Sequence, residues 1–281
     1  MHFLMLLIAG CLAWGLRLWT GRDQSPLSWS KTLFWFVFPP LLLITTALAI
    51  ISMGYQGTML GLESGWLTFG LAIALVSWSL GVLVLQFYQA RISLQQLQPY
   101  PQKSIHGQSA RILNVSFPYS AQIGFWRSQL VISQGLIELL DSEHLQAVIA
   151  HEKAHANYRD TFWFFWLGWL RQITAWLPNS ESLWQELLFL RELRADQKAV
   201  TQVDALVLAE SLMLVAQQAH QTSPLTDLEA ICATFYQENR LLVRINGLID
   251  PSTQNRLTEM GWTRLFWLLV FIPLILIPLH Y

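Results

Sequence analysis

His151-Glu152-Lys153-Ala154-His155 places two imidazoles four positions apart, with a carboxylate beside the first. On a helix, such positions share a face, so both rings can reach one Zn²⁺. Glu152 then stands next to any water held there and can exchange a proton with it. Zinc at such a point lowers the pKa of that water and polarises a peptide carbonyl. The helix is announced by Asp141-Ser142-Glu143, a capping side chain followed by an acid in the first turn. Leu145, Val148 and Ile149 have core-facing spacing, and the same stripe continued reaches His151, Glu152 and His155. Burying these polar groups without partners costs several kcal/mol, and a divalent metal compensates.

A third protein ligand must come from downstream, where Glu181, Glu186 and Glu192 are available. The pattern predicts a helix from about Ser182 to Val200, with an apolar row at Trp184 and Leu188 that reaches Glu192 and Asp196 when extended by fours. Glu192 as ligand, with Asp196 accepting the free N–H of a metal-bound imidazole, explains both acids on a core-facing stripe. Glu186 is the next choice of ligand. The competing explanation is a solvated face on which Arg191, Arg194 and Lys198 pair with these acids. Asp160, five residues past His155, either bonds near the site or caps the next helix. His2, His106, His144, His220 and His280 show no ligand spacing, and His144 is expected at the surface of a first helical turn.

These elements sit in an unusually apolar chain. Of 281 residues, 53% are hydrophobic and 12% charged, which excludes a disordered chain, and the net charge of −1 offers no field for a nucleic acid. The two cysteines, Cys11 and Cys232, cannot build a disulfide framework. Four stretches are long and apolar enough to span a bilayer: Phe3 to Trp19, Leu33 to Met53, Trp66 to Phe87 and Trp262 to Leu279. Pro39-Pro40 should kink the second. Ile8-Ala9-Gly10-Cys11 resembles a lipoprotein cleavage box, but the apolar run continues to Trp19, which favours an uncleaved span. Fourteen Trp suit a membrane–water interface.

The end of the first span and the loop after it hold Arg17, Arg22 and Lys31, the loop from Gly54 to Gly65 has no Lys or Arg, and Arg91, Lys103 and Arg111 follow the third. The expected topology therefore has the N-terminus outside, the long segment inside and a last span running outward. The resulting division is 1–88 for three spans, 89–261 for a cytoplasmic domain and 262–281 for the final span. Thr161 to Leu177 is also apolar, but a single crossing there would part His151 from Glu192. The site therefore requires this stretch to lie at the interface, re-enter or pack in the core, and Arg171 disfavours a span. Strands are expected at Ala110 to Phe117, Ala121 to Phe125 and Gln129 to Ser133. The last two form a hairpin, read as a cover for the core in preference to an edge that receives a peptide.

His151-Glu152-x-x-His155 with Asp160, an aromatic helical stretch and then Arg191-Glu192-Leu193-Arg194-Ala195-Asp196 resembles the BlaR/MecR antirepressor family of membrane zinc peptidases. It is similar also to the HtpX heat-shock proteases and CAAX prenyl endopeptidases. Leu130 to Leu136 and Arg244-Ile245-Asn246-Gly247-Leu248-Ile249 resemble further segments of these families. The resemblance implies a mostly α integral membrane protein with about four transmembrane helices. It adds a cytoplasmic zincin-like α+β metallopeptidase domain with a small β-hairpin or sheet. It also implies one zinc per chain held by His151, His155 and Glu192, Glu152 as catalytic base and Asp196 behind a ligand. Arg194, Arg244 and Tyr158 are the available donors to an oxyanion.

The family cleaves proteins, often a cytosolic transcriptional repressor, so the expected partners are a protein substrate and the bilayer of a bacterial plasma membrane, with no nucleic acid. Two features depart from the family. No penicillin-binding domain follows the last span, so β-lactam sensing is not expected. Ala156-Asn157 are smaller and more polar than the usual residues there. Membrane-protein quality control of the HtpX kind, and a non-catalytic scaffold with a structural metal, are the alternatives.

Overall fold

The computed structural model describes residues 2–20, 28–59, 62–63, 65–222, 240–250 and 267–279. The chain divides into two compact units. One comprises Met1–Tyr88, Trp166–Leu188 and Arg256–Tyr281, the other Gln89–Phe165 and Phe189–Asn255.

The first unit is built on α1 (His2–Thr20), α2 (Trp29–Met53) and α3 (Trp66–Leu97), with β1 (Thr58–Met59) and β2 (Leu62–Glu63) pairing between α2 and α3. Among the described residues, these three helices are long and apolar enough to cross a membrane. Their burial separates them. The most apolar window of α2 is 61% buried, against 28% for α1 and 22% for α3, so α2 is the centre and its neighbours keep apolar faces exposed. Ala9 and Ala13 are small enough to admit Phe38, Leu42 and Leu43.

Pro39 and Pro40 lie inside an unbroken α2. Pro40 has no N–H to give the carbonyl four residues back, that of Phe36. Arg17 Nη2 donates to that carbonyl at 3.0 Å, and its guanidinium lies 5.4 Å from the Phe36 ring. This contact gives the fully buried Arg17 a partner in an apolar setting.

The expected fourth span begins at Trp262, outside the described residues. Its described part is not one continuous helix. It forms short turns, Trp267–Phe271, Ile272–Ile275 and Ile277–Leu279, interrupted where Pro273 and Pro278 withhold an N–H. Thr45 Oγ1 donates to Val270 O at 2.7 Å and ties these turns to α2.

The second unit carries a four-stranded sheet. Its strands are β3 (Gln102–Ile105), β4 (Gln108–Leu113), β5 (Ser120–Ile123) and β6 (Gln129–Ser133), in the order β3-β4-β6-β5. The strand expected to run to Phe117 ends at Leu113, and β3 was not anticipated. His106 and Gly107, both at positive φ (45° and 74°), make the tight turn that pairs β3 with β4. The pair β5–β6 is antiparallel, as the hairpin reading requires, while β4 and β6 run parallel.

Ala110, Ile112, Leu130 and Ile132 pack under α4 (Gln134–Leu139) and α5 (Ser142–Tyr158) through Leu136, Leu145, Val148 and Ile149. Ser133 caps α4, and Gly135 is required because a Cβ there would stand 2.0 Å from Ser116 O. Asp141 caps α5 by accepting from the N–H groups of Glu143 and His144.

Three helices follow: α6 (Asp160–Ile173), α7 (Ser180–Ala199) and α8 (Ala205–Thr222). Leu208 and Ala209 of α8 meet Ala147 and Ala150 of α5, together with Leu248 from a helical segment over 240–249.

The segment Thr161 to Leu177 does not form a single long span. The 14 residues of α6 extend about 21 Å, short of a bilayer core of about 30 Å. From Trp166 onward the chain clusters with the apolar helices. Trp169 Nε1 donates to Ser79 O at 2.8 Å, and Leu177 joins Ala9, Ala13 and Phe38. Arg171 is neutralised by Glu181, with Nη2 2.6 Å from Oε2, and lies over the Trp184 ring.

Candidate metal centre

The helical stripe of α5 continues as its spacing requires, and His151, Glu152 and His155 are all buried at its end. From α7, Glu192 joins the two histidines. One ligand-type atom from each of the three lies within 4.8 Å of the others, and no other such group occurs among the described residues. The Nε2 atoms of His151 and His155 are 3.1 Å apart. Glu192 Oε2 lies 3.3 Å from His151 Nε2, and its Oε1 lies 3.7 Å from His155 Nε2. A tetrahedral zinc with bonds of about 2.0–2.1 Å spaces its ligand atoms about 3.3 Å apart, so these separations fit one such ion.

The far ring nitrogens explain why both Nε2 atoms converge. His155 Nδ1 lies 2.7 Å from Asp160 Oδ2. His151 Nδ1 lies 2.9 Å from Asp196 Oδ1, although off the axis of an aligned hydrogen bond. A carboxylate at Nδ1 holds the proton there and leaves the Nε2 lone pair for a metal. Asp160 therefore both opens α6 and bonds to the site.

Each of these two acids has its own cation. Arg194 donates to Asp160 Oδ1, and Arg244 grips Asp196 by two bonds of 2.7 and 2.9 Å. Arg191 donates to Glu192 Oε1 at 2.7 Å. The solvated-face explanation does not hold for Asp196, which is 2% exposed, whereas Glu192 is half-buried and does pair with Arg191. The arginines approach these acids within the buried cluster.

The charges push His151, His155, Glu192 and Asp196 toward their ionised forms. Burial alone would lower the His151 pKa, but Asp196 and Glu192 override it and raise it to about 9. For His155 burial likewise opposes a rise that Asp160 and Glu192 impose. Burial would raise Glu192, yet His151, His155 and Arg244 hold it well below the usual carboxylate range. Arg244 and His151 bring Asp196 down to about 2 against the same penalty. The surroundings thus favour positive charge where the two Nε2 atoms meet, as a site built for a cation requires.

Glu152 does not join the trio of ligand atoms. Ser120 on β5 donates from Oγ to Glu152 Oε1 at 2.7 Å. Sequence reasoning missed this contact, since nothing in the spacing of residues 120 and 152 announces it. It also missed the bidentate Arg244–Asp196 pair, naming Arg244 as an available oxyanion donor and as the start of a family-like segment. Arg244 and Arg194 are both engaged by carboxylates, and Tyr158 lies under the Arg194 guanidinium at 4.2 Å. Glu181 pairs with Arg171, and Glu186 is not in the trio. His144 is less exposed than expected, bonding Asp141 Oδ1 through Nδ1 at 2.8 Å and reaching Glu210 through Nε2 at 3.2 Å. Cys11 is an exposed free thiol within α1, while Cys232 and His280 lie outside the described residues.

Residues 120–216 match the family model of peptidase family M48. The match covers about a third of the chain and includes Ser120, the whole of α5, Asp160, Glu192 and Asp196, but not Arg244. No curated protein matches the chain. The match supports an M48-type metallopeptidase. Such peptidases depend on a metal, usually zinc, and the His151, His155 and Glu192 trio suits one.

Proposed function

We propose that this chain is a membrane-embedded zinc endopeptidase in which His151, His155 and Glu192 hold the metal and Glu152 is the general base. The convergence of two imidazoles and a distant carboxylate, each backed by buried charge, carries this reading. Zinc, when bound, acidifies a water and polarises the scissile carbonyl. Ser120 holds Glu152 Oε1 and so leaves Oε2 to accept the proton of the attacking water. Glu152 then passes that proton to the departing amine nitrogen. Asp160 and Asp196 keep the Nδ1 protons of His155 and His151 in place. In the described sheet β5 is an outer strand, so an extended peptide that pairs with it lies close to Glu152.

The proposed substrate is a cytosolic or membrane regulatory protein, a transcriptional repressor in the BlaR/MecR arrangement. The distribution of Lys and Arg supports a metal centre on the cytoplasmic side, and the proposed membrane is a bacterial plasma membrane. One observation favours the alternative, quality control of membrane proteins of the HtpX kind: Trp166–Leu188, directly after the first half of the site, clusters with the apolar helices.

The test compares purified wild type with Glu192→Ala and Glu152→Gln by metal analysis and by cleavage of an unfolded membrane protein and of peptides. Wild type should hold about one zinc. Glu192→Ala should lose most of it. Glu152→Gln should keep it while cleavage falls about 10²–10⁴-fold. Equal zinc in wild type and Glu192→Ala removes Glu192 from the site. Undiminished function in Glu152→Gln leaves a structural metal in a scaffold.

A further inference from the structure

The turn between β5 and β6 reads Gly124-Phe125-Trp126-Arg127-Ser128, and the first turns of α6 read Thr161-Phe162-Trp163-Phe164-Phe165. Within the second unit these two segments bring their rings together. Phe125 stands 5.2 Å from Phe162 and 4.8 Å from Phe165, and Trp126 stands 5.3 Å from Phe162. The cluster does not close on itself: Trp126 is 77% exposed and Trp163 is 57% exposed. Gly124 allows the turn to be this tight, since a Cβ there would stand 2.3 Å from Arg127 O. Arg127 and Arg159 are exposed beside the rings, and Asp160, the one acid in these stretches, is buried on His155.

Two indoles open to solvent over a base of phenyl rings are costly in water. They suit the headgroup layer of a bilayer, where an indole has an apolar body in the acyl boundary and a wet N–H. Flanking guanidinium groups suit the phosphates of the same layer. The occupant is indicated by α6 itself. One turn beyond Trp163 the same helix carries Trp166, which packs on Phe87, and then Trp169, which donates to Ser79 O, both partners lying on α3, one of the membrane-length helices. We infer that the β5–β6 turn and the start of α6 form an interfacial anchor, which seats the unit bearing the metal centre on a lipid surface. This goes beyond the peptidase reading and stands whether or not the site is catalytic.

The test uses the full chain with Cys11→Ser and Cys232→Ser, one copy per nanodisc. An environment-sensitive fluorophore is placed at Trp126→Cys, and separately at Arg127→Cys and Lys103→Cys. Lys103 is exposed on β3, the opposite edge strand of the sheet. The labels at 126 and 127 should emit to the blue of that at 103. Nitroxide lipids labelled near the headgroup should quench them more strongly than lipids labelled at the chain end. The label at 103 should respond only to a water-soluble quencher. Labels at all three positions that behave as aqueous overturn the inference. So does a blue shift at 126 that nitroxide lipids fail to quench, which points to a protein surface over the cluster.

Discussion

Arg17 in the apolar unit is fully buried and Arg244 in the unit of the metal centre nearly so, at 14% side-chain exposure, yet their partners differ in kind. Arg17 meets a neutral carbonyl, that of Phe36, and an aromatic ring. Arg244 meets Asp196 through two bonds and lies 3.5 Å from Glu192. In the apolar unit several buried polar groups close on backbone oxygens, as Thr45 does on Val270 and Trp169 on Ser79. Those contacts fix helix against helix through neutral acceptors. The metal unit instead gathers carboxylates, imidazoles and guanidinium groups in one buried cluster. Removing one member of such a cluster leaves an uncompensated buried charge, which the loss of a contact to a neutral carbonyl does not.

The largest effect should follow from breaking the charged arrangement. Arg244→Met leaves Asp196 uncompensated in the interior and should cost about 3–5 kcal/mol of stability, measured by denaturation of the full chain in detergent. Asp196→Asn keeps the shape but withdraws charge from behind His151. Zinc affinity, measured by competition with a chelator, should fall about 10–100-fold.

The next effect is one of pH. His151, raised to about 9 in the metal-free site, is protonated at neutral pH and must release that proton to bind a metal. Zinc affinity should therefore climb about tenfold per pH unit from neutrality towards 9 and flatten above it. Asp196→Asn should move that plateau to lower pH, and an unmoved plateau removes Asp196 as the cause. The smallest effect belongs to the apolar unit. Arg17→Met removes one hydrogen bond and leaves no opposite charge stranded, so it should cost about 1 kcal/mol. A loss equal to that of Arg244→Met would erase the distinction between the two units.

How much of this was legible beforehand follows from the range of each interaction. The three membrane-length helices, the Asp141 cap and the line from Leu145 to His155 depend on neighbours within a few residues, and each appears where its spacing put it. Glu192 and Asp196 were legible for the same reason, as acids on an otherwise apolar helical row. β3 was missed because its residues, Gln102 to Ile105, lack an alternating apolar pattern. Only the His106–Gly107 turn hinted at it. For the fourth span, composition gives only length and apolarity, and its described part is three short turns, two of which carry Pro273 and Pro278 at their second position.

Local periodicity alone thus determined which faces of the helices are apolar and that the one through His155 turns polar at its inner end. Only the tertiary structure decided that Ser120 holds Glu152, that Arg244 answers Asp196 and that Trp166–Leu188 clusters with the apolar helices. Those pairings join residues 32, 48 and 90 positions apart. No helical or strand repeat relates such distances. They are set by how buried charge finds its complement once the chain has closed on itself.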